Sequence, residues 1–309
     1  MTDAWTVPEP DDVHEVRTAD GYPIALRRYG KPDGPRLVMS HGNGFAIDAY
    51  WPYWSRFIEE FDVFVHDIRS HGRNPVGDLD VHSIPMIAED FTCVSRHIDR
   101  RFGARSKVGV FHSLSALAVL HAPIVHDYAA LVLFDPPILL PGRTTGDLEK
   151  VGSTMGRATR KRRERFETPA AYAAFLSTRD AFAGLDAGGL DLLARATLRP
   201  VGTSAGYRLS CPPEHEARMW DSLYPFARMV DYGAIPCPIK VIGSDPTMCN
   251  SFLPSTEVPE LLRLDYDFVP ETTHLLQLEN PEACAAFTLD YLARRGRGRR
   301  AESRDGRLP

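Results

Sequence analysis

No stretch of this 309-residue chain approaches 18 consecutive apolar residues, so no segment is expected to cross a membrane as a helix. Cysteine is scarce. Cys93, Cys211, Cys237, Cys249 and Cys284 are odd in number, scattered and without a C-x-x-C pair. That pattern argues against a disulfide framework and a cysteine-built zinc site, and it fits a reducing compartment. The chain also lacks a dominant charge: a net −5 on 25% charged residues gives no reason to expect nucleic acid or an anionic membrane as the main partner. The opening MTDAWTVPEPDD is acidic and has no apolar h-region, so no secretory leader is expected and the expected location is cytoplasmic. Neither a phosphate-binding glycine motif nor a ligand cluster occurs, so no cofactor or metal is implied.

What is present is an alternation of strand-like and helix-like segments. Residues 13–18 and 23–29 alternate around Asp20-Gly21, as in a hairpin. RLVMS (36–40), FDVFVHD (61–67), VGVFH (108–112) and ALVLFD (130–135) read as short buried strands. Between them, residues 47–60 and 84–98 carry apolar residues at helical spacing. Such alternation argues for a mostly parallel sheet covered on both faces. From Pro137 to Tyr232 no buried strand is evident, and the segment reads as a helical cap over the strand ends, where ligands bind in such sheets. The basic run RATRKRRERFE (157–167) reads as a solvated helix face. Strands at 237–245 and 262–270 and a closing helix at 281–295 resume the pattern. The expected organisation is a core over 1–136, the cap over 137–232, a second core segment over 233–295, and a disordered basic tail over 296–309.

At the centre lies Ser113, at the corner between the strand 108–112 and the apolar helix LSALAVL. HGNGF follows one strand, DIRSHGRN the next, GSDP a late strand, and THLLQLENPE precedes the last helix. Together these motifs resemble the α/β-hydrolase superfamily, in its serine-nucleophile, lidded, esterase-like form. The resemblance covers residues 13–293 apart from the cap. It implies an eight-stranded-type sheet with the cap inserted after the sixth strand. It also implies Ser113 as nucleophile, His274 as base and Asp245 as the acid, with Asp135, at the end of ALVLFD, as the alternative acid. Asn43 and Leu114 would supply oxyanion N–H donors, aimed by the flexible Gly42 and Gly44. His41, Asp67 and Arg69 read as structural.

Two features depart from the family pattern. Phe111 and Ser115 replace the glycines usual two residues before and after the nucleophile, and GSDP is one residue shorter than the usual G-x-x-D.

A serine excludes the carboxylate chemistry of haloalkane dehalogenases and epoxide hydrolases and leaves acyl transfer. The expected reaction is cleavage of a small, mostly apolar carboxylic ester through an acyl-enzyme, in a pocket built from the cap residues Tyr172, Phe175, Phe182, Leu185, Leu190, Leu192 and Leu193. Lactonase, amidase and C–C bond hydrolase use the same triad and stay open, as does a non-catalytic ligand-binding protein on the same scaffold. The expected partner is a small ester-like molecule, and a homo-oligomer is compatible with the sequence.

Overall fold

A computed structural model describes residues 5–137, 145–202, 206–248 and 264–305. The central sheet has eight strands. In chain order they are β1 (Asp12–Arg17), β2 (Pro23–Gly30), β3 (Arg36–Ser40), β4 (Asp62–His66), β5 (Lys107–His112) and β6 (Ala130–Phe134). After the strands β7 (Arg165–Phe166), β8 (Leu198–Pro200) and β9 (Tyr207–Leu209) of a separate small sheet come β10 (Ile239–Gly243) and β11 (Asp265–Phe268). The large sheet runs β1-β2-β4-β3-β5-β6-β10-β11. The β1–β2 and β2–β4 pairs are antiparallel and every other pair is parallel.

The period-two alternation of the strands fixes which side chains go to which face. Leu37, Met39, Val63, Val65, Val110, Val132, Phe134 and Ile242 pack on one side. Val38, Phe64, Phe111, Leu131, Leu133 and Val241 pack on the other. The second side is covered by α2 (Ile84–Phe102) and α3 (Leu114–Leu120). The first is covered by α1 (Trp51–Trp54) and by the chain-closing helices α8 (Leu276–Glu279) and α9 (Pro281–Asp305). A continuous helix over 47–60 does not form. The segment is a 3-10 turn at Ile47–Tyr50, then α1, then a turn at Ser55–Phe57. A helix starting at Ile47 would hold Pro52 in its interior, whereas α1 takes it in its first turn, where the missing N–H costs nothing.

The insertion between β6 and β10 contains α4 (Thr145–Arg160), α5 (Pro169–Leu176), α6 (Ala187–Thr197) and α7 (Pro213–Ala227). It is not wholly helical: β7, β9 and β8 form a three-stranded antiparallel sheet. Strands of two and three residues leave no readable period in a sequence. Nor is the insertion packed apart from the rest. Met219, Leu223, Tyr224 and Ala227 of α7 share a core with α2 and α3, while Tyr172, Leu176 and Leu193 join the core on the opposite side. The Arg199 guanidinium donates to the Gly72 carbonyl (2.9 Å) and His215 meets the Gly77 carbonyl (2.9 Å), tying the insertion to the loop after β4.

The strands expected at 237–245 and 262–270 are shorter, at 239–243 and 265–268, and residues 262 and 263 lie outside the described residues. The tail expected to be disordered from 296 is helical through Asp305, as a continuation of α9. Extending an existing helix through this Arg-rich sequence needs no new nucleus. Residues 306–309 lie outside the described residues.

Candidate active site

The site is assembled by strand register. His112, the last residue of β5, pairs with Phe134, the last of β6, and Phe134 pairs with Ile242 of β10. The residues just past these pairs, Ser113 and Asp135, therefore emerge side by side at the C-terminal edge of the sheet. Backbone bonds from Ser113 N–H to Phe134 O and from Asp135 N–H to Ile242 O, both 2.9 Å, hold them there. Both residues have positive φ, 51° at Ser113 and 39° at Asp135, a region that L-residues enter at a cost of about 1–3 kcal/mol.

His274 reaches over this edge from the loop after β11. Its Nε2 lies 2.9 Å from Ser113 Oγ and its Nδ1 lies 2.5 Å from Asp135 Oδ2. The fully buried Asp135 carboxylate accepts from Nδ1–H, so Nε2 is left as an acceptor for the serine hydroxyl. This constellation has the geometry for nucleophilic acyl transfer: hydroxyl, imidazole and buried carboxylate in sequence.

Asp245, expected to be the acid, does not meet His274. Its carboxylate accepts from the Glu271 N–H (2.8 Å), the Thr247 N–H (2.8 Å) and the Thr247 hydroxyl (2.7 Å). These bonds hold its pKa below the usual carboxylate value, the Glu271 amide contributing most. Asp245 N–H in turn donates to Thr272 O at 3.0 Å. Asp245 thus fastens the β10 loop to the loop that carries His274. The shortened GSDP loop explains the exchange. Ser244 is the residue whose amide and hydroxyl face Asp135, both at 3.3 Å, and its successor turns toward Glu271 instead. The alternative acid, Asp135, is the one brought to the imidazole.

The elbow tolerates Phe111 because a glycine lies two residues further back. A Cβ on Gly109 would collide with the Phe111 ring and with Leu131. The ring, fully buried, stacks on Phe91 with centroids 5.5 Å apart, away from the corner. Ser115 holds the turn by accepting from His112 N–H and donating to His112 O, each at 2.9 Å.

The HGNGF loop lies against the elbow. Neither the Asn43 nor the Leu114 backbone N–H has an acceptor among the described residues. Gly44 has φ 78°, as a glycine-specific turn requires. Gly42 is needed for space instead: a Cβ there would come within 2.8 Å of His112 Nδ1 and 3.3 Å of Ser113 Cβ. His41 Nδ1 bonds the Gly42 carbonyl (2.8 Å) and its Nε2 accepts from Ile68 N–H (3.1 Å). Asp67 accepts from the N–H groups of Ile47 (2.8 Å) and Arg73 (3.0 Å). Arg69 forms an ion pair with Asp90 at 2.6 Å. All three brace loops.

Sequence reasoning missed His112 as a brace. Gly42 N–H donates to the Tyr50 hydroxyl (3.2 Å), which donates to His112 Nδ1 (2.7 Å), and His112 Nε2–H donates to the His274 carbonyl (2.9 Å). Burial, and secondarily the nearby His274, push the His112 pKa well below its ordinary value, so the ring stays neutral. Its position beside Ser113 was the available signal. Glu216 was also missed. Its backbone carbonyl accepts from Asn43 Nδ2 (2.9 Å) and its carboxylate is bonded by Arg162. Nothing local in the sequence points to a contact spanning that much of the chain.

Above the site is a cavity of about 690 Å³ bordered by Asn43 and His274. Tyr172, Phe175, Phe182 and Leu193 line it as expected, while Leu185, Leu190 and Leu192 do not and pack internally. The basic run is not simply a solvated face: Lys161, Arg162 and Arg163 line the same cavity. The end of α4 brings them there.

The sequence profile of the alpha/beta hydrolase family matches residues 37–287, and the chain belongs to that family. No curated protein matches the chain by sequence. Among solved structures, it is similar to E-2-(acetamidomethylene)succinate hydrolase, at 20% identity over 91% of this chain and 99% of the other, with a TM-score of 0.70. It is similar to the thioesterase domain from the curacin biosynthetic pathway, at 17% identity over 90% and 98%, with a TM-score of 0.68. It is also similar to a thermophilic esterase from Thermogutta terrifontis, at 17% identity over 92% and 98%, with a TM-score of 0.66. At these identities the likeness is one of fold. Among the described residues, no helix is long and apolar enough to cross a membrane.

Proposed function

We propose that the protein is a serine hydrolase that cleaves a small carboxylic ester through an acyl-enzyme intermediate, and that the inserted region acts as the cap of its substrate pocket. The observation that carries this reading is the unbroken line Ser113 Oγ–His274–Asp135, at 2.9 and 2.5 Å, at the mouth of a cavity large enough for a drug-sized molecule. His274 takes the Ser113 proton as Oγ attacks the carbonyl carbon. Asp135 stabilises the resulting imidazolium, and the N–H groups of Asn43 and Leu114 receive the oxyanion. Removing one such donor typically costs about 2.7–4 kcal/mol of transition-state stabilisation. The imidazolium then protonates the leaving alcohol, and water, activated by the same imidazole, releases the acid and regenerates Ser113.

The deciding test is hydrolysis of p-nitrophenyl esters and p-nitroanilides of graded chain length, with fluorophosphonate labelling, for wild type and Ser113→Ala. We expect labelling and turnover in the wild type and neither in the variant. An unlabelled, inactive wild type would sink the acyl-transfer reading and leave a ligand-binding protein on this scaffold.

A further inference from the structure

The cavity above Ser113 has both aromatic and cationic lining residues, and the cationic flank is built from two separate elements. The run after α4 contributes Lys161, Arg162 and Arg163, and the turn after α5 contributes Arg179. Against these four cations the cavity lining holds one carboxylate, Glu216, which is already bonded to Arg162. Lys161, Arg163 and Arg179 have no carboxylate within ion-pair distance among the described residues. Their neighbour Arg160, by contrast, is neutralised by Glu214 (3.0 Å) and Asp221 (2.6 Å) on α7. The basic run is thus divided: Arg160 clamps two helices together, and Lys161, Arg162 and Arg163 border the pocket.

The cations are partly pre-positioned. The Arg179 guanidinium lies over the Phe175 ring at 4.3 Å and that of Arg163 over Phe166 at 4.7 Å. Arg162 donates to the Tyr172 hydroxyl at 3.1 Å while about a third of its side chain remains exposed. Cations at helix C-termini complement the helix dipole, and that alone would place basic residues after α4 and α5. It does not account for both helix ends opening onto one cavity, in a protein whose net charge is −5. A local positive field set in a negative molecule concentrates anions at that one place.

We propose that the substrate carries a carboxylate in addition to its scissile acyl bond, held by the flank formed by Lys161, Arg162 and Arg179. The aromatic lining takes the apolar chain between the two groups. This inference rests on the acyl-transfer reading for its chemistry, and not for the anion site itself.

The test uses matched pairs of esters that differ by one carboxylate. In the first pair the charge is on the acyl side, p-nitrophenyl hydrogen adipate against p-nitrophenyl hexanoate. In the second it is on the leaving group, 4-carboxyphenyl hexanoate against phenyl hexanoate. We expect kcat/KM for the charged member of at least one pair to exceed that of its neutral partner by about tenfold or more at low salt. That ratio should collapse in the double variant Lys161→Ala/Arg179→Ala, and shrink at about 0.5 M NaCl, where screening is short-ranged. Ser113-dependent hydrolysis in which the neutral ester matches or beats the charged one in both pairs would overturn the anion site while leaving acyl transfer standing. If no ester turns over and no fluorophosphonate label is taken up, the acyl-transfer reading falls, and calorimetric titration with adipate still decides the anion site. Adipate binding that the double variant loses supports it, and no binding by the wild type overturns it.

Discussion

Ser113 and Asp135 hold backbone conformations that their neighbours over-determine. Each is pinned by a strand hydrogen bond on one side and by His274 on the other. Their side chains are therefore aimed before any substrate arrives, and removing either should act on the chemistry more than on the fold. We expect Ser113→Ala and His274→Ala to lower kcat on the preferred ester by about 10⁴–10⁶, measured with the variants' thermal melts alongside. Asp135→Asn should cost about 10³–10⁴, because the amide no longer fixes the Nδ1–H tautomer. Asp245→Asn should cost far less in kcat and more in melting temperature, since that carboxylate accepts the Thr247 N–H of its own loop and the Glu271 N–H of the loop that carries His274. A crippled Asp245→Asn beside a nearly active Asp135→Asn would reverse the assignment of the acid.

The helices α4 and α7 form one wall of the cavity, and their separation is set by two glycines. A Cβ on Gly152 would come within 2.9 Å of the Trp220 carbonyl, and one on Gly156 would strike the Asp221 carboxylate. The Arg160 ion pairs to Glu214 and Asp221 fasten the same seam. Gly156→Leu should therefore pry α4 away, destabilising the protein on the order of 1–3 kcal/mol. Because Met155, Ala158 and Thr159 of α4 line the cavity, it should also shift the preferred acyl chain length. A thermal melt and an ester series read the two effects separately; an unchanged melt and an unchanged preference would mean that the helices are not held at this distance.

The whole molecule carries an unusual load of buried neutral imidazole. Burial lowers the pKa of His66 to about 4 and that of His82 to about 3, and pushes His71 and His112 well below their ordinary value. Each of these groups binds a proton more readily in the unfolded chain, whose histidines titrate near 6.5. Stability contributed by keeping them neutral is therefore fully present above about pH 6.5 and is lost as pH falls toward the folded values. The slope is about 1.4 kcal/mol per pH unit for each such histidine. We expect the melting temperature to be flat from about pH 7 to 8 and to drop steeply between about 6.5 and 5. A melting temperature unchanged across that acidic range would show that these rings protonate without penalty.

The chain by itself determined the parts that depend on local order. The buried strands, the elbow at Ser113, and the positions of HGNGF and His274 could be read because apolar period, turn chemistry and motif order are properties of neighbouring residues. The sequence also narrowed the acid to two carboxylates, Asp135 and Asp245, each just past a strand end. It could not choose, because β6 and β10 are adjacent strands whose ends open on the same edge. Only the tertiary register, with Ser244 facing Asp135 and Asp245 turned to Glu271, decided which of them meets His274. Phe111 is a similar case: its fit at the elbow depends on the space at Gly109 and on the Phe91 ring, which α2 brings across. The basic run after α4 read as solvent-facing by composition, and it lines the cavity because α7 and the small sheet fold it back over the site. Charge and hydropathy along a chain say what a segment is made of; which neighbours it meets is settled by contacts between residues far apart in sequence.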